Sequence, residues 1–129
     1  MSIHVRLEVR ETAARGRGVF ALAPIPAGTL IESADVIPIP RDEMHLIESC
    51  ILADYDFRWG PDGREGAIAL GYGSLYNHSY TPNAYYVRQL ERVSIDFIAL
   101  RDIAAGEEIR TNYNGEPESK KMVWFVVSK

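Results

Sequence analysis

The sequence predicts a mainly β protein, built from several small antiparallel sheets with one or two short helices. The first observation is an alternation of apolar and polar residues along several short segments, which is typical of half-buried strands. The second is the irregular spacing of the glycine- and proline-rich turns between them, which fits neither an immunoglobulin-like sandwich nor alternating βαβ units. A chain of 129 residues is expected to fold as one domain.

The first strands are predicted from the N-terminal third of the chain. Residues 3–10 alternate strictly between apolar and polar, so they predict one strand. The glycines of 15–18 predict a turn, and the apolar residues 19–22 a short second strand. A third extended segment, 29–37, is expected to end at the prolines that follow it.

The best helix candidate is 42–50, or a little beyond. Apolar residues recur there at spacings of three and four, at Met44, Ile47 and Ile51, which is the period of a helix face. The first turn of this segment is acidic, as suits a helix N-terminus. We therefore expect a helix here, next to the strands.

The remaining strands follow from alternation and turn chemistry. Segment 52–59 alternates aromatic and charged residues, and the Gly-Pro-Asp-Gly turn at 60–63 predicts a hairpin with a returning strand at 67–70. Two further strands are predicted at 84–90 and 93–100, where β-branched and aromatic residues are frequent.

The sequence contains one internal similarity, at an offset of 78 residues. Segments 21–31 and 99–109 share six of eleven residues, and each predicts a strand, an Ile-x-Ala-Gly corner and a second strand. Two copies are too few for a solenoid. We interpret them as two uses of one stable β-corner, the second leading into a short strand at 108–113.

Composition and charge exclude several classes of protein. The net charge of −4 argues against nucleic acid as the main partner. No apolar run approaches a membrane span and no signal region is recognisable, so an intracellular protein is expected. The lone Cys50 offers neither an internal disulfide nor a zinc cluster. Residues 41–65 carry seven acids against three bases, which is either a solvated face or a surface for a cationic partner.

The densest cluster of unusual residues is 71–83, which combines glycines, the triplet Asn-His-Ser and a proline. This is the composition of a ligand-binding loop. His78 lacks the companions of a zinc site, no Gly-x-Ser-x-Gly elbow is present, and the Gly-Tyr-Gly start lacks the third glycine of a dinucleotide loop. The residues alone leave the ligand open.

Three separated segments nevertheless resemble, in order and in residue type, the motifs of SET-domain protein lysine methyltransferases. Segment 15–21 (Arg-Gly-Arg-Gly-Val-Phe-Ala) resembles the family's N-terminal glycine motif. Segment 77–83 (Asn-His-Ser-Tyr-Thr-Pro-Asn) resembles its Asn-His-Ser-x-x-Pro-Asn motif, and 106–113 its Gly-Glu-Glu motif ending in tyrosine. The short chain without cysteine-rich flanks looks most like the minimal viral and bacterial members.

The resemblance implies the β-clip (SET) fold, with a C-terminal pseudoknot in which the Tyr113 segment is threaded beside the Asn-His-Ser segment. It implies a SET domain over 1–115, with an insert at 42–65 made of a helix and a hairpin. A tail, 116–129, is expected to pack over the site. It also implies S-adenosylmethionine as cofactor and no metal.

The same resemblance implies the site residues. Arg17, Gly18 and Val19 would line the amino-acid end of the donor, largely through backbone groups. Asn77 would hold the donor's ammonium and carboxylate region, and the His78 backbone would read the adenine while its side chain is structural.

Three aromatic residues complete the expected site. The hydroxyl of Tyr113 would lie beside the transferring methyl group, and Tyr55 is the second candidate for the catalytic channel. The apolar run 122–127 contains Trp124, which, with Phe125, is our candidate to close the donor and substrate pocket; plain packing, or pairing across a homodimer, is the alternative.

We therefore expect a protein lysine methyltransferase acting on a basic protein, such as a histone or histone-like protein, with no direct contact to nucleic acid or membrane. The acidic excess in 41–65 favours this substrate. Two alternatives stay open at this point: a binding module that keeps the fold without turnover, and a methyltransferase for a ribosomal or metabolic protein.

Overall fold

The computed structural model describes residues 2–3, 5–13 and 16–120. Strands dominate it, as predicted, and the helices are single short turns. The helices are α1, Met44–Glu48, and the 3-10 turns Arg41–Glu43, Ile51–Asp54 and Gly73–Leu75. The strands, numbered in chain order, are β1 Ser2–Ile3, β2 Leu7–Thr12, β3 Gly16–Ala21, β4 Leu30–Ile39, β5 Phe57–Trp59, β6 Glu65–Ala69, β7 Asn77–His78, β8 Ala84–Gln89, β9 Ser94–Ala99 and β10 Glu108–Thr111.

The strands form two sheets. The larger has the order β5-β6-β4-β9-β8, with β1 paired to β4, and the smaller has the order β2-β3-β10-β7. All pairs are antiparallel except β10 with β7, which is parallel. In the larger sheet β4 is central, with Ala34 opposite Ile95 of β9 and Val36 opposite Ala69 of β6.

The two similar corners pair with each other. Ile25 and Ile103 form an antiparallel bridge in which each N–H donates to the other's carbonyl at 2.8 Å. Both isoleucines are only 1% exposed, because the bridge lies inside the core between the two sheets. The repeat therefore pairs the two connections between the sheets, since one links β3 to β4 and the other links β9 to β10.

The glycine of each corner makes the equivalent contact in the other copy. The N–H of Gly28 donates to the carbonyl of Ala99 at 2.8 Å, and the N–H of Gly106 donates to the carbonyl of Ala21 at 2.7 Å. These glycines have φ of 83° and 85°, a region that disfavours other residues. The two copies are thus related by an approximate two-fold axis through the isoleucine bridge.

Several predicted elements have different bounds in the structure. Segment 3–10 was expected to be one strand, but β1 pairs with β4 whereas β2 pairs with β3, so it divides between the sheets. Segment 52–59 begins as a 3-10 turn, because the N–H groups of Tyr55 and Asp56 both donate to the carbonyl of Leu52. Only its last three residues form β5.

The predicted helix 42–50 is shorter than expected. A 3-10 turn opens it, and α1 ends at Glu48 because the Ser49 hydroxyl donates to two helix carbonyls and Cys50 is extended. Strand β4 runs past its expected end, through Pro38. The β9 ladder stops at Asp35, so this proline lies where β4 has a single described neighbour, an edge position that tolerates it.

The described helices are all short. None of those in 2–3, 5–13 and 16–120 has the length and apolar character needed to cross a bilayer.

Candidate active site

The three motif segments meet where β10 changes partner. It pairs with β3 at Ile109 opposite Val19, and one residue later it pairs with β7, at Arg110 opposite Asn77. The N–H of Ser79 extends the second contact by donating to the strand's last carbonyl at 2.9 Å. The residues of β3 before Val19 therefore face the Asn-His-Ser segment.

Asn77 is held at this junction through its amide nitrogen. The Nδ2 atom donates to the carbonyl of Arg17 at 3.1 Å and to Oε2 of Glu108 at 2.7 Å. The other Glu108 oxygen accepts from Nε of Arg110 at 3.1 Å. With the amide nitrogen engaged on two oxygens, the amide oxygen is the atom that Asn77 offers to a ligand.

Gly18 leaves the space in which this contact forms. A Cβ at that position would lie 2.4 Å from Oε2 of Glu108 and 3.0 Å from Nδ2 of Asn77. No side chain fits without displacing the carboxylate. The side chain of Arg17 is exposed and that of Val19 is fully buried, so both residues present backbone groups at this edge.

The His78 side chain is buried against Tyr113. Its Nδ1 accepts a hydrogen bond from the Tyr113 N–H at 2.9 Å, so this nitrogen carries no proton. The imidazole also meets the rings of Tyr80 and Tyr113 edge-on, with centroids 4.5 and 5.2 Å apart. The side chain therefore holds the backbone of Tyr113.

The Tyr113 hydroxyl donates to the carbonyl of Tyr76 at 2.6 Å, while its own carbonyl accepts from the Tyr86 hydroxyl at 3.3 Å. Burial, with added repulsion from Tyr55, Glu108 and Tyr86, raises the pKa of Tyr113. The hydroxyl is therefore protonated at neutral pH. It can orient a reacting group by hydrogen bonding, but it is not a base.

A cleft of about 870 Å³ opens beside Tyr113. Tyr55, the second predicted catalytic residue, lies in its wall. Tyr76 also lines the cleft, whereas the next residue, Asn77, contacts β3 on the other side. Tyr113 is therefore at the boundary between an aromatic cleft and the junction of the motifs. The aromatic residues that line the cleft are Tyr55, Phe57, Tyr76, Tyr86 and Tyr113.

The charges in the cleft are more balanced than the sequence suggested. Four of the seven acids of 41–65 line it, but all three arginines of that segment line it too, joined by Arg88 from β8. The acidic residues of the lining are Glu48, Asp54, Asp56 and Glu65, and the basic ones Arg41, Arg58, Arg64 and Arg88.

Asp56 is the acid whose environment is most perturbed. Burial and the nearby Glu48 raise its pKa, against the effect of a backbone hydrogen bond that lowers it. Its Oδ2 faces the backbone of Gly66, where a Cβ would approach to 3.3 Å. A cation bound between Asp56 and Glu48 would relieve this repulsion.

Sequence reasoning missed the individual parts played by Tyr76, Tyr86 and Glu108. Glu108 belongs to a recognised motif, but only the structure shows its carboxylate on Asn77. Tyr86 was interpreted as part of a strand, and the contact with Tyr113 joins residues 27 positions apart. The predictions for Trp124, for Phe125 and for the tail beyond residue 120 concern positions outside the described residues.

Comparison with known proteins identifies the family of this chain. The SET domain family matches residues 16–114. The chain is 39% identical over 120 residues to a histone-lysine N-methyltransferase of Schizosaccharomyces pombe specific for H3 lysine-37, covering 92% of this chain and 76% of that protein. A crystal structure of a candidate histone methyltransferase from Plasmodium falciparum is 27% identical, with a TM-score of 0.63, and the match covers 86% of this chain and 95% of the other.

The match contains all of the Asn-His-Ser and Gly-Glu-Glu segments and all but the first residue of the glycine motif, and its bounds enclose the junction built around Asn77 and Tyr113. Enzymes of this kind use S-adenosylmethionine as the methyl donor. The chain belongs to the SET-domain family of protein lysine methyltransferases.

Proposed function

We propose that this protein transfers a methyl group from S-adenosylmethionine to the side-chain amine of a lysine in a basic, histone-like protein. The observation that carries the proposal is the location of the Tyr113 hydroxyl, on the carbonyl of Tyr76, between the aromatic cleft and the contact of Asn77 with β3. Such a substrate implies action inside the cell.

The residues at the junction fit the donor. Bound S-adenosylmethionine supplies an electrophilic methyl group on a sulfonium. The amide oxygen of Asn77 can accept from the donor's ammonium, and the backbone of Arg17 and Gly18 lies beside it, at the edge that β10 leaves when it turns to β7. Glycine suits position 18 because a Cβ there would collide with the Glu108 carboxylate, which holds the amide of Asn77.

The cleft prepares the lysine as a nucleophile. A lysine with an unperturbed pKa near 10.4 is neutral in only about one molecule in a few thousand at pH 7. The aromatic walls formed by Tyr55, Tyr86 and Tyr113 desolvate the ammonium and so lower its pKa. The proton can leave to water through the open side of the cleft before the amine advances.

The role we assign to Tyr113 is to position the reacting groups. Its hydroxyl stays protonated, and His78, Tyr76 and Tyr86 hold it at three points, on the N–H, the hydroxyl and the carbonyl. Near-attack alignment of a nucleophile can lower a barrier by roughly 7 to 11 kcal/mol. Fixed geometry, with no ionised base, is therefore the contribution we assign to this tyrosine.

The substrate class follows from the cleft and from the relative. The acid pair Asp56 and Glu48 offers negative charge beside the aromatic walls, and the fission-yeast relative is specific for histone H3. We extend a histone or histone-like substrate to this chain on that basis. The arginines in the same lining predict that acidic residues of the substrate are accepted as well.

We also propose that the tail 116–129 closes the donor and substrate pocket, with Trp124 as a lid residue. Asn114 and Gly115 line the cleft, and the Asn112 amide donates to the carbonyl of Ser119 at 2.8 Å, so the described start of the tail folds back beside the site. Trp124→Ala is expected to weaken donor binding, measured by calorimetry. An unchanged affinity would count against this part of the proposal.

The function is tested by incubating the protein with methyl-labelled S-adenosylmethionine and purified histones, using an acidic protein as control. Label is expected on a histone lysine, located by mass spectrometry, and Asn77→Ala is expected to lose it with donor affinity. The proposal fails if the folded protein binds neither the donor nor its demethylated product. Label on an acidic protein alone would reject the substrate class.

A further inference from the structure

A carboxylate outside the motifs is buried behind the site. Glu32 lies on β4 and is 0% exposed. Its Oε1 accepts from the Tyr76 hydroxyl at 2.7 Å and its Oε2 accepts from the Tyr72 N–H at 2.9 Å. One side chain therefore fixes both ends of the segment that leads into the Asn-His-Ser motif.

Burial of the Glu32 carboxylate costs free energy, which points to a role in positioning the residues that it holds. A buried carboxylate loses its hydration, and here burial raises the pKa of Glu32 in spite of the two hydrogen bonds. Both of its donors belong to one short stretch, which folds as a 3-10 turn between them. The carboxylate is itself held by β4, the central strand of the larger sheet.

Tyr76 connects this carboxylate to the catalytic tyrosine. Its ring packs on Phe97, with centroids 4.6 Å apart, and its hydroxyl ends on Glu32. Its carbonyl accepts the Tyr113 hydroxyl at 2.6 Å. With the side chain held at its far end, the backbone of Tyr76 and its carbonyl have less freedom to turn.

We infer that Glu32 is a positioning residue for methyl transfer: by holding Tyr72 and Tyr76, it sets the direction of the Tyr76 carbonyl and, through it, the position of the Tyr113 hydroxyl. The effect on rate rests on the proposed function. The effect on Tyr113 itself does not, so the two can be tested separately.

Glu32→Gln is the first variant. The glutamine amide group can accept from one of the two donors but not from both, so one anchor is lost with little change in volume. We expect kcat to fall roughly ten- to hundredfold, as for a small misplacement of a reacting group, while KM for the protein substrate and donor affinity stay within about twofold.

Tyr76→Phe is the second variant, and it keeps the carbonyl while removing the hydroxyl. It should lower kcat to a similar degree, and the double variant should be no worse than the single ones, because both remove the same link. Ser33→Ala is the matched control: it removes a neighbouring hydrogen bond of β4, to Asp96, that leads away from Tyr113. It should leave kcat unchanged.

A second readout does not depend on activity. In protein with isotope-labelled tyrosine, the Tyr113 ring resonances, assigned by their loss in Tyr113→Phe, should shift in Glu32→Gln and Tyr76→Phe but not in Ser33→Ala. Unmoved resonances in the folded variants would overturn the inference, as would additive losses in the double variant or an equal loss of donor affinity. Absence of methyl transfer by the wild type would overturn the proposed function alone.

Discussion

The paired corners, 21–31 and 99–109, and the insert, 42–65, differ in how deeply they are buried. The corners bury Ile25 and Ile103 to 1% exposure around a two-fold set of backbone hydrogen bonds. The insert's three helical turns contain no buried residue, and Ile51 is 70% exposed. One region is buried in the core, whereas the helical part of the other is exposed.

The active site uses both regions. The second corner leads directly into β10, which delivers Glu108 to Asn77 and then Tyr113 to the cleft. The insert supplies Tyr55 and most of the charged lining. In the proposed function, the donor side depends on the buried corners and the substrate side on the exposed insert. We therefore expect changes in the insert to alter substrate choice without unfolding the donor site.

The largest expected contrast is in the free energy of unfolding, when an isoleucine is replaced by alanine in each region. Ile103→Ala should lower the free energy of unfolding by about 2 to 5 kcal/mol, because it opens a cavity in the core. Ile51→Ala should change it by less than about 0.5 kcal/mol, because that side chain is mostly in water. Urea unfolding measures both, and equal losses would contradict the contrast.

Gly18→Ala should break the donor side alone. Its Cβ would displace the Glu108 carboxylate and the Asn77 amide. Overpacking costs about 1 to 3 kcal/mol, and the same free energy lost from donor binding would lower the affinity roughly five- to 150-fold. Gly63→Ala is the control for backbone strain, since its φ of 72° disfavours alanine although the space around it is open. Calorimetry should show unchanged donor affinity in the control.

Asp56→Asn should weaken the substrate side alone. Loss of one partly exposed charge should raise KM for a basic peptide up to about fivefold, with donor affinity unchanged. Asp42→Asn is the matched control, an acid of the same segment that does not line the cleft. Steady-state kinetics at two salt concentrations would check it, and equal effects in both variants would contradict it.

The smallest effect is on pH dependence. The pKa of Asp56 is raised in the folded state, so the folded protein holds this proton more tightly than the unfolded chain, and stability is lost as pH rises above the ordinary value of 3.8. Asp56→Asn removes that loss. Its stability relative to wild type should therefore increase slightly as pH rises from acid to neutral, followed by urea unfolding; the opposite trend would contradict the sign.

How far the sequence predicts the molecule also differs between these regions. The offset of 78 residues predicts two equal corners, but the pairing of Ile25 with Ile103 is a long-range contact that no local pattern contains. In the insert, the helical spacing of Met44, Ile47 and Ile51 predicts a longer helix than forms. Ile51 is exposed, so no packing extends it.

Prediction of the site from the sequence is limited in the same way. The motifs predict Asn77 and Tyr113, because those residue types recur in a recognisable order. The buried carboxylate of Glu32 and the carbonyl of Tyr76 lie outside that signal, since one is a strand residue and the other is a backbone atom. The acidic excess of the insert overstates the negative charge of the cleft, because three of its seven acids do not line the cleft and folding brings Arg88 to it.

The account is tested most directly by the rate of methyl transfer in Tyr113→Phe at saturating donor, measured with donor affinity in the same preparation. Loss of the hydroxyl that Tyr76 orients should lower kcat by on the order of a hundredfold, with donor affinity within about twofold of wild type. An unchanged kcat would contradict the account, and so would a loss of donor affinity as large as the loss of rate.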